Sequence, residues 1–331
     1  MKHLITGGSG FLGRYIARQL LEQGQEVVLY NRSQPPSDLS ECTWVQGDIN
    51  ETMKLTRAME GCHNVFHTAA IAGVWGDEEL FHKVNTLGTQ SVLNACLSAK
   101  VSKLIYTSSP SVVFGIDAIE NGNESLPYPD EYLTTYPKTK AEGEKIVLEA
   151  NSEQLKTCSL RPHLIWGPED QHLIPRLIQK AKSKRLKQVG NGENLVDLTY
   201  VENAAKAHLQ VASELDKSSK PAGKAYFISD PKPVSLWPWI REILSLSECP
   251  PPNGSLSYAK AAKIGAILEW IYKTFKLKGE PPMTRFVAAQ LAKAHYFDNS
   301  AAKKDFGYAP EIDNKEGLKR TLAWLKESGT V

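Results

Sequence analysis

Short apolar runs alternate with longer amphipathic ones from the first residues onward. Lys2-His3-Leu4-Ile5-Thr6 reads as a strand, then comes a glycine-rich turn, then Tyr15-Ile16-Ala17-Arg18-Gln19-Leu20-Leu21 with apolar positions at helical spacing. Glu26-Val27-Val28-Leu29-Tyr30 is a second strand, and Val45-Gln46-Gly47-Asp48-Ile49 ends a third. The alternation continues through Val65-Phe66-His67, a helical stretch from Asp77 to Ala99, and Leu104-Ile105-Tyr106-Thr107. A helix carrying Tyr136 and running to Ala150 follows, then Thr157-Cys158-Ser159-Leu160. Such a pattern predicts an α/β fold, a doubly wound parallel sheet covered on both faces. Ligands in such sheets sit beyond the carboxyl ends of the strands. From Gly167 the pattern breaks into shorter helices and isolated strands, punctuated by Pro250-Pro251-Pro252-Asn253-Gly254 and Gly279-Glu280-Pro281-Pro282. Residues 1–166 are expected to form mainly the sheet domain, and 167–331 mainly a smaller substrate lobe whose strands can return to the main sheet.

The first turn, Gly7-Gly8-Ser9-Gly10-Phe11-Leu12-Gly13, has glycines at the spacing of a dinucleotide fingerprint. Its context is the required one: a strand before it, an amphipathic helix after it, and a second strand closing the unit. Glycines permit the tight turn, and free N–H groups at the positive end of the helix receive a pyrophosphate. Gly7, Gly10, Phe11, Leu12 and Gly13 are therefore expected to bind a dinucleotide in a Rossmann arrangement. Enzymes that take NAD usually carry Asp or Glu at the end of the second strand, whereas those that take NADP tolerate Arg there. This chain has Asn31-Arg32-Ser33, and Arg32 offers a planar fork to a 2′-phosphate. NADP(H) is favoured, with NAD(H) as the alternative. Asp48 is placed to accept from the adenine amino group, and Ile49 to pack on the ring.

Composition adds only exclusions. Lys+Arg 39 nearly balance Asp+Glu 37, which leaves no electrostatic footprint for nucleic acid. The 5 cysteines are scattered without C-x-x-C and suggest neither a metal site nor a disulfide framework. The first strand follows Met1 directly and no apolar run reaches spanning length, so a cytoplasmic location is expected.

Tyr136 and Lys140, in Tyr-Pro-Lys-Thr-Lys, share one face of a helix. Bringing a phenol from about 10 to about 7 takes ~4 kcal/mol, roughly what one cation at ~4 Å supplies at an effective dielectric of ~20. Lys140 is thus expected to tune Tyr136 as an acid and to hold a ribose. Ser109, closing Tyr106-Thr107-Ser108-Ser109, is expected to hydrogen-bond the oxygen that Tyr136 protonates, while a one-residue shift would give that role to Ser108.

Thr6 to Gly13, His67 to Ala70, Val84-Asn85-Thr86-Leu87-Gly88-Thr89, Tyr106 to Ser109 and Tyr136 to Lys140 together resemble extended short-chain dehydrogenases/reductases. Leu160 to Asp170 and Val196 to Ala205 resemble the 3β-hydroxysteroid dehydrogenase branch. That branch includes sterol-4α-carboxylate 3-dehydrogenases and bacterial 2-alkyl-3-oxoalkanoate reductases. Glu280 to Phe286 and His295 to Asp298 are similar to the C-terminal part of those bacterial reductases. The resemblance, which covers essentially the whole chain, implies Ser109, Tyr136 and Lys140 as the catalytic set. It also implies Ala69 against the cofactor and Asn85 as a supporting residue. The implied activity is a ketone reductase or alcohol dehydrogenase acting on a hydrophobic β-keto or β-hydroxy acid, with a 3β-hydroxysteroid or sterol-4α-carboxylate as runner-up. A nucleotide-sugar epimerase or dehydratase shares the front half of the chain but needs a polar lobe, and a non-catalytic dinucleotide sensor has no use for the three catalytic residues.

His163, His172 and Arg176 follow the sixth strand, where each could meet a substrate carboxylate. Ala259 to Phe275 shows Ile264, Ile267, Leu268, Ile271 and Phe275 at helical spacing, with Lys260, Lys263, Trp270 and Lys273 on the opposing side. This predicts a helix docked on the lobe by its apolar stripe, its basic face in water, or else a contact with a membrane surface or a pathway enzyme through the 259–276 helix. The remaining partners to expect are a small hydrophobic substrate and a second copy of the chain in a homodimer.

Overall fold

The apolar runs become β1 (Lys2–Thr6), β2 (Glu26–Asn31), β3 (Thr43–Gln46), β4 (Asn64–His67), β5 (Lys103–Thr107), β6 (Ile119–Gly122) and β7 (Lys156–Pro162) in a computed structural model that describes residues 1–330. Six of these, all but β6, join the later strand Lys224–Ile228 in one sheet ordered Lys224–Ile228, β7, β5, β4, β1, β2, β3. Every neighbouring pair is parallel. Side chains alternate across a strand, so Leu4, Val65 and Leu104 enter the core on one face while Ile5, Phe66 and Ile105 enter that on the other. All six are fully buried. Leu12, Ile16 and Leu20 of helix Phe11–Glu22 and Val201, Ala204 and Val211 of helix Val201–Lys217 cover the Ile5 face. Leu55, Val92 and Val147, from helices Thr52–Ala58, Gly88–Ser98 and Thr135–Glu149, cover the Leu4 face. The strand order reverses between β1 and β4, the crevice where such sheets bind ligands.

The expected helical stretch runs between an Asp77 cap, whose carboxylate accepts from the Glu79 N–H at 2.9 Å, and Ala99. Its middle, His82–Leu87, is π-helical, a distortion frequent at functional sites. It sets Asn85 inward.

The lobe has a core of its own, built on Trp166, Ile178, Val196, Trp237, Trp239 and Ile240. Two exchanges tie the halves of the chain together. β6 pairs with His295–Phe297 in a four-stranded lobe sheet, and Lys224–Ile228 pairs with β7 in the main sheet.

Helix Tyr258–Thr274 forms as expected, with Lys260, Lys263, Trp270 and Lys273 in water, but it does not dock by the isoleucine stripe, of which only Leu268 and Ile271 are half-buried. Its buried positions are Ala261, Gly265 and Glu269, one helical turn apart, while Ile264, Ile267 and Phe275 are exposed. Close approach decides this orientation. A Cβ at Gly265 would lie 2.6 Å from the carbonyl carbon of Thr284, and Glu269 accepts from the backbone N–H and Nε of Arg285 at 2.6 and 2.8 Å. Small residues admit the neighbouring backbone where isoleucines would hold it off.

Candidate active site

The carboxyl ends of β1, β4, β5 and β7 converge on a cavity of about 480 Å³. Gly7 leaves β1 with φ +73°, and a Cβ there would lie 2.8 Å from the backbone of Ala69, just past β4. A Cβ at Gly13 would lie 2.4 Å from the Gly7 carbonyl oxygen. No side chain caps helix Phe11–Glu22 at Gly10. An uncapped helix N-terminus behind a turn that side chains would fill suits a pyrophosphate, so the chain fits the dinucleotide its glycine pattern implies. Phe11 and Leu12 carry the turn into the cavity wall.

Arg32 stands exposed just past β2. Asp48 is half-buried and already engaged, its Oδ1 accepting from Asn50 N at 3.0 Å and Asn50 Nδ2 at 2.8 Å. Burial alone would raise this carboxyl, but the Asn50 hydrogen bonds and the Arg32 charge hold it below its ordinary range. Ile49 is buried against Gly88. These residues gather at the β2–β3 end of the crevice.

Tyr136, Lys140 and Ser109 all line the cavity. Tyr136 and Lys140 sit one turn apart on helix Thr135–Glu149. Burial raises the Tyr136 phenol, and the neighbouring Ser109 hydroxyl pulls it back. Ser109 also caps the short turn Pro110–Val113, accepting from Ser111 N at 3.2 Å and Ser111 Oγ at 2.9 Å. Ser108 is buried and also lines the cavity, its hydroxyl beside Glu144. Lys140 Nζ donates to the Thr107 carbonyl at 2.6 Å and lies 4.1 Å from the centre of the Tyr106 ring. Burial lowers its pKa to about 7, against the opposing pull of Glu144.

Asn85 clamps the loop after β4. It accepts from Ile71 N at 2.9 Å and donates to Ile71 O at 3.1 Å and Thr139 Oγ1 at 3.2 Å, joining that loop to the helix of Tyr136.

Beneath Lys140, and in line with it, lies Glu144, a third residue on the Tyr136 face. It accepts from Arg161 Nη2 at 2.6 Å, Tyr128 Oη at 2.7 Å and Ser159 Oγ at 2.7 Å, fully buried. Burial would raise this carboxyl, but Arg161 and the hydroxyl donors hold it below the usual range. The i+4, i+8 stripe from Tyr136 could have revealed it from sequence alone.

On the lobe side, His163 and His172 line the cavity; Arg176 does not, pairing instead with Glu280 at 3.3 Å. His295, Gln290, Phe286 and Phe114, which no local pattern singles out, also line the cavity. His295 Nε2 lies 2.8 Å from the Gln290 carbonyl, so that nitrogen carries the hydrogen, and His295 Nδ1 accepts from His163 Nε2 at 2.6 Å. Burial keeps both neutral, His295 at about 4 and His163 well below its usual value. Apart from these groups the wall is largely apolar: Val74, Phe114, Leu164, Ile165, Leu173, Phe286 and Phe297.

A model of the 3-beta hydroxysteroid dehydrogenase/isomerase family matches residues 4–255. A 2-alkyl-3-oxoalkanoate reductase of Stenotrophomonas maltophilia strain K279a is 40% identical over 98% of this chain and 99% of its own length. A decarboxylating sterol-4-alpha-carboxylate 3-dehydrogenase of Mus musculus is 36% identical over 97% of this chain and 90% of its own. Among solved structures, a UDP-glucuronic acid 4-epimerase from Bacillus cereus in complex with NAD superposes with a TM-score of 0.76 at 22% identity, covering 99% of each chain. At that identity the likeness speaks for the fold.

Proposed function

The chain belongs to the 3-beta hydroxysteroid dehydrogenase/isomerase family and is an NAD(P)-dependent oxidoreductase, and from that premise we propose that it reduces 2-alkyl-3-oxoalkanoates with NADPH. The observation that carries the substrate class is the cavity wall. Hydrocarbon side chains make up most of the wall around the catalytic trio, with the His163–His295 pair among its few polar groups. Such a wall suits alkyl chains, and a carboxylate brought to His163 would supply the opposite charge that favours its protonation. A nucleotide sugar would need polar partners along both its diphosphate and its hexose.

In this reading the turn Gly7 to Gly13 with Ala69 holds the pyrophosphate, Arg32 reads a 2′-phosphate, and Asp48 and Ile49 flank the adenine. When bound, the dinucleotide supplies a hydride to carbon 3 of the substrate. Tyr136 gives its proton to the ketone oxygen, Ser109 hydrogen-bonds that same oxygen, and Lys140 orients the ribose. The apolar wall around the ketone keeps water away. The 36% identity to the mouse enzyme favours a sterol-4α-carboxylate as the second substrate to examine.

The substrate series tests this directly. Each buried methylene adds up to about 0.8 kcal/mol, so kcat/KM for 3-oxo acids is expected to rise several-fold with every two carbons over the medium-chain range. A flat series alongside brisk turnover of a nucleotide sugar would overturn the substrate class. For the cofactor, Arg32→Ala is expected to weaken NADPH about tenfold. That is ~1.4 kcal/mol, set near the low end for a hydrogen bond to a charged group because Arg32 is exposed and screened. NADH affinity should hardly change. Equal weakening of both cofactors by titration would remove Arg32 from 2′-phosphate recognition.

A further inference from the structure

Helix Tyr258–Thr274 and the residues just after it present apolar side chains to solvent that a water-facing surface has no reason to carry together. Ile264 is 41% exposed, Ile267 50%, Trp270 63%, Phe275 65% and Leu277 45%. The five lysines of this stretch, Lys260, Lys263, Lys273, Lys276 and Lys278, are exposed as well. Its one acid, Glu269, is turned inward and bound to Arg285. The outward face is therefore both apolar and uniformly basic, apart from an exposed pairing of Lys273 with Glu78 at 3.2 Å.

We propose that this face seats on the surface of a membrane containing anionic lipid. Its orientation is fixed from behind, because the contact of Gly265 with the Thr284–Arg285 backbone leaves no room for the helix to roll and hide its isoleucines. No helix among the described residues is long and apolar enough to cross a membrane, so the helix would lie in the plane of the interface. There the aliphatic side chains and Phe275 enter the acyl boundary, Trp270 sits at the headgroups, and the lysines meet anionic phosphates. A second copy fits less well, since a two-fold contact would set one lysine-rich face against another.

A recess adjoins the helix. A second cavity, about 1070 Å³, lies between this helix and that of Tyr136, with Tyr272, Lys273 and Leu277 on one side and Thr135 and Lys138 on the other. Val74 borders both this cavity and the catalytic one. That recess also carries the acids Asp77, Glu78 and Glu79 opposite Lys273 and Lys276. The binding itself does not depend on the substrate assigned above.

The test is co-sedimentation of the full chain with vesicles of phosphatidylcholine alone and of phosphatidylcholine mixed with phosphatidylglycerol. Binding is expected to the mixed vesicles, at least tenfold tighter than to the neutral ones, and to fall as salt rises. Ile267→Ser with Trp270→Ser should abolish it, and Lys260→Gln, Lys263→Gln, Lys276→Gln and Lys278→Gln together should weaken it at least tenfold. Both variants should keep the unaltered chain's melting temperature and its turnover of a short, water-soluble 3-oxo acid. The lysine variant leaves the apolar packing untouched, so it decides the matter if the double serine variant folds poorly. Absence of binding to either vesicle, or binding indifferent to the lysines, overturns the proposal. So does a dimer in solution that the serine substitutions split, which would give the face to a second copy, or saturation of the face by a purified protein partner that vesicles cannot displace.

Discussion

Tyr136→Phe is expected to lower turnover at least ~100-fold, the low end for loss of a positioned acid, while NADPH still binds. The substitution keeps the ring and its edge-on packing against Phe81 and removes only the hydroxyl beside Ser109. The other groups of the trio, and His163, are engaged elsewhere. Ser109 is committed to Ser111, Lys140 to the Thr107 carbonyl, and His163 to His295. The drop should therefore fall on kcat, with KM little changed. An unaltered single-turnover rate would mean that the proton comes from elsewhere.

Glu144→Ala is expected to destabilise the fold by about 3–5 kcal/mol, the cost of breaking a buried ion pair by removing one partner. The Arg161 guanidinium, only 4% exposed, would be left without its carboxylate, and the hydroxyls of Tyr128 and Ser159 without their acceptor. Replacing both charges, as in Glu144→Leu with Arg161→Met, should recover much of the loss, because it is the stranded charge that costs most. Because the folded pKa of Glu144 is depressed, its contribution is present above the pKa of an unfolded glutamate and is lost as pH falls through the lower folded value. Urea titration of the three proteins checks both statements. A loss under about 1 kcal/mol on Glu144→Ala would mean that water reaches Arg161 and the pair is not sealed.

How much of this was legible beforehand follows from the range of each interaction. The alternation of Leu4 with Ile5 and the glycine turn with its flanking strands are local, and they announced the sheet and its binding crevice. Tyr136 and Lys140 were visible for the same reason, four residues apart on one helix. Local signals misled where close packing outranked hydrophobicity. On helix Tyr258–Thr274 the isoleucine stripe reads as the buried face, yet Ala261 and Gly265 take it because only small residues admit the Thr284–Arg285 backbone. Long-range partners were beyond the pattern altogether. Nothing near His163 in sequence points to His295, 132 positions away, or joins Arg161 to a helix that had been read only for Tyr136 and Lys140. Arg176 was misplaced for a related reason: its partner, Glu280, lies 104 residues on.

The central claim is a net hydride transfer from a nicotinamide to carbon 3 of a 3-oxo acid. NADPH carrying deuterium at its transferable position, incubated with a 2-alkyl-3-oxoalkanoate, should yield a 3-hydroxy acid with one deuterium at carbon 3 for each cofactor oxidised. Unlabelled product, or a nucleotide sugar converted with no net oxidation of the cofactor, would contradict it.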